Sequence, residues 1–194
     1  MGNLKPNTLS QSICDLISIL KSIDNEKFLG KFSNLVSEVS STLKKDGTIF
    51  FAGNGGSASD SDHFATEFVV RFNRERISLP AISLSSNPGM ITACANDYDF
   101  SKVFSRQCES LMKQNDYVIC LSTSGSSQNI IELLKLCKER NVNSILISGS
   151  KTPLFVREQF QTLIIDSIST ARIQEVQKFI LHSLCEEIDN IFSD

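Results

Sequence analysis

The chain contains two histidines, His63 and His182, each in a segment of helical periodicity beside another group able to bind a metal or move a proton. His63 and Glu67 are four residues apart, so on a helix they project from one face and meet. That spacing suits a shared metal ion, or a base with the group that orients it. It also suits an imidazole and a carboxylate forming one exposed helix pair. Gln174 precedes His182 by eight residues, close to two helical turns, so both side chains point roughly the same way. Two imidazoles, one carboxylate and one amide oxygen suffice for a four-ligand site, although an amide is an unusual ligand for zinc. The other reading of His182, close to Leu181 and Leu184, is a hydrogen-bonded core histidine.

Two loops could hold an anion. Gly53-Asn54-Gly55-Gly56-Ser57-Ala58 follows an apolar run and opens a helix. Glycines there let backbone approach a ligand closely, and the helix start offers unpaired N–H groups at the positive end of its dipole. Ser122-Thr123-Ser124-Gly125-Ser126-Ser127 stands in the same relation to a helix expected to start near Gln128, and hydroxyls with backbone amides make a phosphate cradle that needs no lysine. Either loop alone is also what an ordinary turn with an N-cap looks like. The first loop matches G-x-G-x-x-A as well, but dinucleotide binding requires an acid at the end of the second strand. Here that strand ends Leu84-Ser85-Ser86-Asn87.

The elements that must position these groups alternate. Ile13, Leu16, Ile17 and Leu20, then Phe28, Phe32, Leu35, Val36 and Val39, recur at helix spacing and predict two helices between Thr8 and Lys45. From Thr48 onward short apolar runs alternate with helical stretches, which is the pattern of a parallel sheet. Strands are expected at 48–52, 81–84, 117–121, 144–147 and 162–165, apolar throughout because both sheet faces are covered. A closing helix is expected over 170–191. The fold class is therefore α/β: a three-layer α/β/α sandwich with a five-stranded parallel sheet, flavodoxin-like, preceded by two N-terminal helices. One domain is expected over 1–194, with the helices of 1–45 used in packing or oligomerisation and an α/β core over 46–194. Ligands of such folds bind beyond the carboxyl ends of the strands, where strand order reverses.

Composition narrows the classes. With 41% hydrophobic and 21% charged residues the chain is ordinarily globular, and its longest apolar runs are too short to span a bilayer. The opening Met1 to Pro6 lacks the apolar stretch of a signal peptide, and Pro6 stands where a myristoylation signal wants Ser or Thr. A net charge of −3 without a basic run argues against a nucleic-acid groove. Six scattered cysteines without a C-x-x-C pair read as buried, reduced thiols of a cytoplasmic protein.

Taken together and in order, Gly53-Asn-Gly-Gly-Ser-Ala, His63-Phe-Ala-Thr-Glu67, Arg71-Phe72, Leu79-Pro-Ala-Ile, Asn96-Asp97-Tyr98, Phe104-Ser-Arg-Gln107, Ser122-Thr-Ser-Gly125 and Arg172-Ile-Gln-Glu175 resemble the phosphoheptose isomerase family of the SIS (sugar isomerase) fold. The match runs from about residue 46 to 190. It implies conversion of sedoheptulose 7-phosphate to D-glycero-D-manno-heptose 7-phosphate through an enediol, for heptose-containing glycans such as lipopolysaccharide or capsule. It implies one zinc per subunit, held by His63, Glu67, Gln174 and His182, with Glu67 and His182 also the catalytic acid/base pair. Substrate contacts are implied for Asn54, Gly55, Gly56, Ser57, Glu67, Asn96, Asp97, Ser122, Thr123, Ser124, Ser127 and Gln174. A homotetramer with sites at subunit interfaces is implied too. Two departures are visible: Ser126 stands where the family usually has Asn, and Gln177 where it commonly has a further histidine.

An aldose–ketose isomerase needs a base over a C–H bond and an acid near the oxygens, and Glu67 and His182 are complementary types. The competing reading is a non-catalytic SIS protein that binds a replication-initiator partner or senses a sugar phosphate. Arg71-Phe72, Leu79-Pro-Ala-Ile and Arg172-Ile-Gln-Glu175 resemble the initiator-binding proteins as well. Those proteins lack residues able to serve as base and acid at the positions of Glu67 and His182, and this chain keeps both.

Overall fold

The structure, a computed structural model, describes residues 8–193, so the Met1 to Pro6 segment read above lies outside the described residues. Helices α1 (Thr8–Ile23) and α2 (Glu26–Lys44) come first, then β1 (Ile49–Gly53), α3 (Gly56–Val69), β2 (Ala81–Ser83), α4 (Pro88–Asp97), a 3₁₀ turn (Phe100–Lys102) and α5 (Ser105–Leu111). The chain continues with β3 (Tyr117–Ser122), α6 (Gln128–Glu139), β4 (Asn143–Gly149), α7 (Leu154–Gln159), β5 (Thr162–Ile165) and α8 (Thr170–Phe192).

Local chemistry sets several of these boundaries. Asn25, in extended conformation, accepts a bond from the N–H of Phe28 through its side chain at 3.0 Å and starts α2. Asn87 does the same for Met90, with Pro88 in the first turn of α4, where the missing proline N–H is not needed. Asp116 accepts from the N–H groups of Thr48 (2.8 Å) and Lys113 (2.6 Å), which aligns the starts of β1 and β3.

All strand pairs are parallel and the order is β2-β1-β3-β4-β5. The order reverses between β1 and β3, so their following loops diverge and leave a crevice at that edge. Alternate residues serve the two faces. Phe51, Ile119, Leu121 and Ile147 pack with Leu35, Val39, Phe64, Phe68, Ile180 and Leu184 from α2, α3 and α8. Phe50, Ala52, Val118, Cys120 and Leu146 pack with Val103, Cys108, Ile130, Leu134 and Val156 on the other face. Each such fully buried large aliphatic or aromatic side chain contributes roughly 1.5–3 kcal/mol, so the central strands hold the site's two loops on a rigid platform.

The five expected strands and the two leading helices are present, with β4 longer than expected at both ends. Two expectations are corrected. β2 is an edge strand, and Ile82 is 39% exposed rather than covered. Cys14 is exposed, unlike Cys94, Cys108, Cys120, Cys137 and Cys185, because the buried positions of α1 are Ile19 and Ile23 in its last two turns. Among the described residues, no helix is long and apolar enough to cross a membrane.

Candidate active site

Helix α3 begins at the carboxyl end of β1 and runs against α8, and their facing side chains form successive rungs. Closest to the glycine loop, Gln174 lies against Gly56, where an added Cβ would stand 2.7 Å from the amide nitrogen. One turn along, the buried Asp60 meets Lys178, Oδ1 to Nζ 3.2 Å. Next, the Nε2 atoms of His63 and His182 stand 3.2 Å apart. Glu67 follows, its Oε1 3.5 Å from His63 Nε2. On α8 the participants Gln174, Lys178 and His182 are spaced i, i+4, i+8, as one helix face requires. Sequence spacing had joined His63 to Glu67 and Gln174 to His182. The structure joins the two pairs to each other.

His182 is held by rings. Phe72 stacks on it at 5.4 Å with planes 14° apart, and Phe64 meets it edge-on at 5.0 Å. Burial, aided by the neighbouring His63, pushes its pKa below the ordinary histidine value, against an opposing pull from Glu67. A neutral imidazole offers a lone pair to a metal or to a proton. This half-buried ring is not the enclosed core histidine of the alternative reading.

Zinc–nitrogen bonds of about 2.0–2.1 Å put tetrahedral ligand atoms roughly 3.3 Å from one another. The two imidazoles, and His63 with Glu67, are spaced in that way. Among the described residues, no three His, Cys, Asp or Glu side chains already converge as ligands. The spacing of the imidazole pair is compatible with a zinc ion, and Glu67 and Gln174 would have to turn in to complete a four-ligand set.

At the switch point the two loops are tied by an amide pair. Asn54 Nδ2 donates to Asn129 Oδ1 at 2.9 Å and Asn129 Nδ2 returns a bond to Asn54 Oδ1 at 2.8 Å. Asn129 is buried in the first turn of α6, where its Oδ1 also accepts from Ile130 N–H. In the serine loop, Ser122 Oγ accepts from Gly125 N–H and lies 3.3 Å from Ser127 Oγ. Ser124 Oγ accepts from both the N–H and the hydroxyl of Ser126. Gly125 has φ +63°, and a Cβ there would strike Thr152 Oγ1 at 2.4 Å, so the turn demands glycine. Thr123 is half-buried, and its carbonyl accepts from Gly149 N–H. Ser57 is buried and caps onto Asn54 through its N–H, beside Gly55 at φ +56°. A hollow of about 610 Å³ opens next to the loops, lined by Asn54, Ser127, Gln128, Asn129 and residues of the 3₁₀ turn.

Asn96 and Asp97 stand differently. Both are exposed at the end of α4 and bond each other at 2.9 Å, and Asp97 lines a separate hollow with Tyr98 and Arg106. Within one chain they do not join the two loops.

Sequence reasoning missed Asn129, Lys178 and the rings around His182. Asn129 left one trace, a polar residue at the head of the apolar Ile130-Ile131 pair on a buried helix face.

Comparison with known proteins supplies an independent observation. The SIS domain family model matches residues 15–149. The chain is 40% identical over 170 residues to a phosphoheptose isomerase of Thermodesulfovibrio yellowstonii, covering 86% of this chain and 85% of that one. It is 40% identical over 169 residues to one from Campylobacter jejuni, covering 87% and 91%. Among solved structures, a phosphoheptose isomerase from Neisseria gonorrhoeae superposes with a TM-score of 0.85 at 30% identity, over 94% of this chain and 97% of the other. One from Francisella tularensis gives 0.88 at 27% identity, over 95% and 97%.

Proposed function

We propose that this chain, which belongs to the SIS domain family and within it to the phosphoheptose isomerases, interconverts sedoheptulose 7-phosphate and D-glycero-D-manno-heptose 7-phosphate through an enediol. The observation that carries the reading is that His63 stands 3.2 Å from His182 and 3.5 Å from Glu67 where α3 packs on α8, on a sheet whose glycine and serine loops open helices at the strands' carboxyl ends.

In this reading the phosphate sits in the serine loop, held by Ser122, Thr123, Ser124 and Ser127 and by the N-terminus of α6. Asn54, Gly55, Gly56, Ser57 and Gln174 receive the sugar chain. Fixing the distal phosphate holds the open-chain sugar in register over the base, which replaces a costly search by binding. Glu67 takes a proton from C1 while His182 protonates the C2 oxygen, which gives the enediol. Glu67 then returns a proton to C2 and His182 removes one from the C1 oxygen, leaving the aldose. The depressed pKa of His182 favours a neutral ring that can pass protons between neighbouring oxygens. Zinc, one per subunit and held by His63, Glu67, Gln174 and His182, would supply charge stabilisation for the enediolate.

For Asn96 and Asp97, exposed and bonded to each other at the end of α4, the reading assigns a contact with the site of a neighbouring subunit in the homotetramer that it includes. The setting proposed is the cytoplasm, serving heptose-containing glycans such as lipopolysaccharide or capsule, without nucleic acid as partner. The test is incubation of the purified protein with sedoheptulose 7-phosphate, read by NMR. An aldoheptose phosphate is expected, and its absence from a folded, metal-supplied sample sinks the reading.

A further inference from the structure

The carboxyl end of α3 is held by an ion pair buried to the last few per cent. Arg76 and Asp189 have side-chain exposures of 2% and 1%, with Nε to Oδ1 at 2.7 Å. The guanidinium also donates to the carbonyl oxygens of Glu67 (2.7 Å), Phe68 (2.9 Å) and Ile77 (2.9 Å). The first two belong to the last turn of α3, whose carbonyls have no intrahelical partner, and a cation there also suits the helix dipole. Asp189 Oδ2 accepts from the N–H groups of Asn73 and Arg74 at 2.7 and 2.9 Å, which pins the loop that carries Phe72.

Both catalytic candidates hang from this pair. Arg76 grips the backbone of Glu67 itself. Asp189 lies seven residues beyond His182 on α8, close to two turns and so on the same face. Phe72, whose ring stacks on His182, adjoins Asn73. A structural ion pair in this place has a cost: desolvating two charges often offsets their attraction, so hydrophobic replacement of such pairs is frequently neutral for stability. Its geometric effect is more specific, because a planar fork with fixed bond directions sets position as well as distance.

We propose that Arg76 and Asp189 are positioning residues for catalysis: they set the place of Glu67 relative to His182 by bonding the Glu67 carbonyl from one side and α8 from the other. The inference rests on the isomerase reading above. Misplacing a reacting group by about 1 Å costs roughly 10²-fold in rate, so the effect falls on kcat, with substrate affinity left to the distant serine loop.

The experiment compares wild type with Arg76→Lys and with the charge-free double variant Arg76→Met/Asp189→Leu, assayed on sedoheptulose 7-phosphate at least 20 °C below each Tm. The double variant leaves no uncompensated charge and is expected to fold. Expected are kcat values reduced about 10- to 100-fold, KM within about twofold of wild type, and a crystal structure of the double variant with the Glu67 carboxylate shifted relative to His182. A folded variant with wild-type kcat and an unmoved Glu67 overturns the positioning role while leaving the isomerase reading intact. A wild-type protein without turnover overturns that reading and this one with it. If the double variant does not fold, Arg76→Lys decides, since it keeps the charge and loses the fork.

Discussion

The Nε2 atoms of His63 and His182 face one another across 3.2 Å although 119 residues separate them in the chain. Two imidazole nitrogens at that distance share either one proton or one ion. Protein purified without chelator is therefore expected to contain close to one zinc per chain by elemental analysis, and His63→Ala to lose it. Full activity after exhaustive chelation, with no residual metal, would mean that the pair shares only a proton.

Glu67→Gln keeps the shape of the side chain and removes the base. Turnover is expected to fall by roughly 10²- to 10⁴-fold, while sedoheptulose 7-phosphate binds with near wild-type affinity in calorimetry. A near-normal rate would move the proton abstraction to another group.

In the serine loop the expected signature is the reverse. Ser124→Ala and Ser127→Ala each delete a donor to a charged phosphate, about 1.5–3 kcal/mol, so KM is expected to rise by roughly tenfold or more with kcat little changed. Equal binding of sedoheptulose and its 7-phosphate would place the phosphate elsewhere.

What could be read from sequence, and what could not, follows from how far each interaction reaches. The strands and the glycine and serine loops that open α3 and α6 are local: apolar runs of strand length, followed by glycine or serine at a helix start, carry their meaning within about ten residues. The Asn54–Asn129 amide pair spans 75 residues and the Arg76–Asp189 pair 113. Neither residue of such a pair announces its partner, because only the sheet order brings them together. The placement of His63 beside His182 came from resemblance rather than from spacing, since no periodicity relates α3 to α8. Ile82 was misjudged for a related reason: an apolar β-branched residue fits an edge strand as well as a central one.

Asn129 gives a test of the amide pair. Asn129→Ala leaves the part-buried Asn54 amide without its two reciprocal bonds, a loss of about 1 kcal/mol. A lower Tm and weaker substrate binding are expected together, because the glycine and serine loops lose their tie. A lower Tm with unchanged KM would show that the pair supports the fold alone.

Burial pushes the Asp189 carboxyl up, but the Arg74 N–H, the Arg76 guanidinium and the Asn73 N–H together hold it below its ordinary value of 3.8. A carboxylate whose folded pKa is depressed binds fewer protons when folded, so its stabilisation is complete above the unfolded value and is lost as pH falls through the folded one. Its window lies below about pH 4. His182 acts in a different window: its folded pKa is also lowered, so protonation disfavours the folded state as pH falls below about 6.5. Urea midpoints of the metal-free wild type are expected to decline first below about pH 6.5 and again, with added steepness, below about pH 4. Arg76→Met/Asp189→Leu should keep the first decline and lose the Asp189 share of the second. If its midpoints track those of the wild type below pH 4, the Asp189 carboxyl is not held down by its three donors, and the acid sensitivity of the fold has another source.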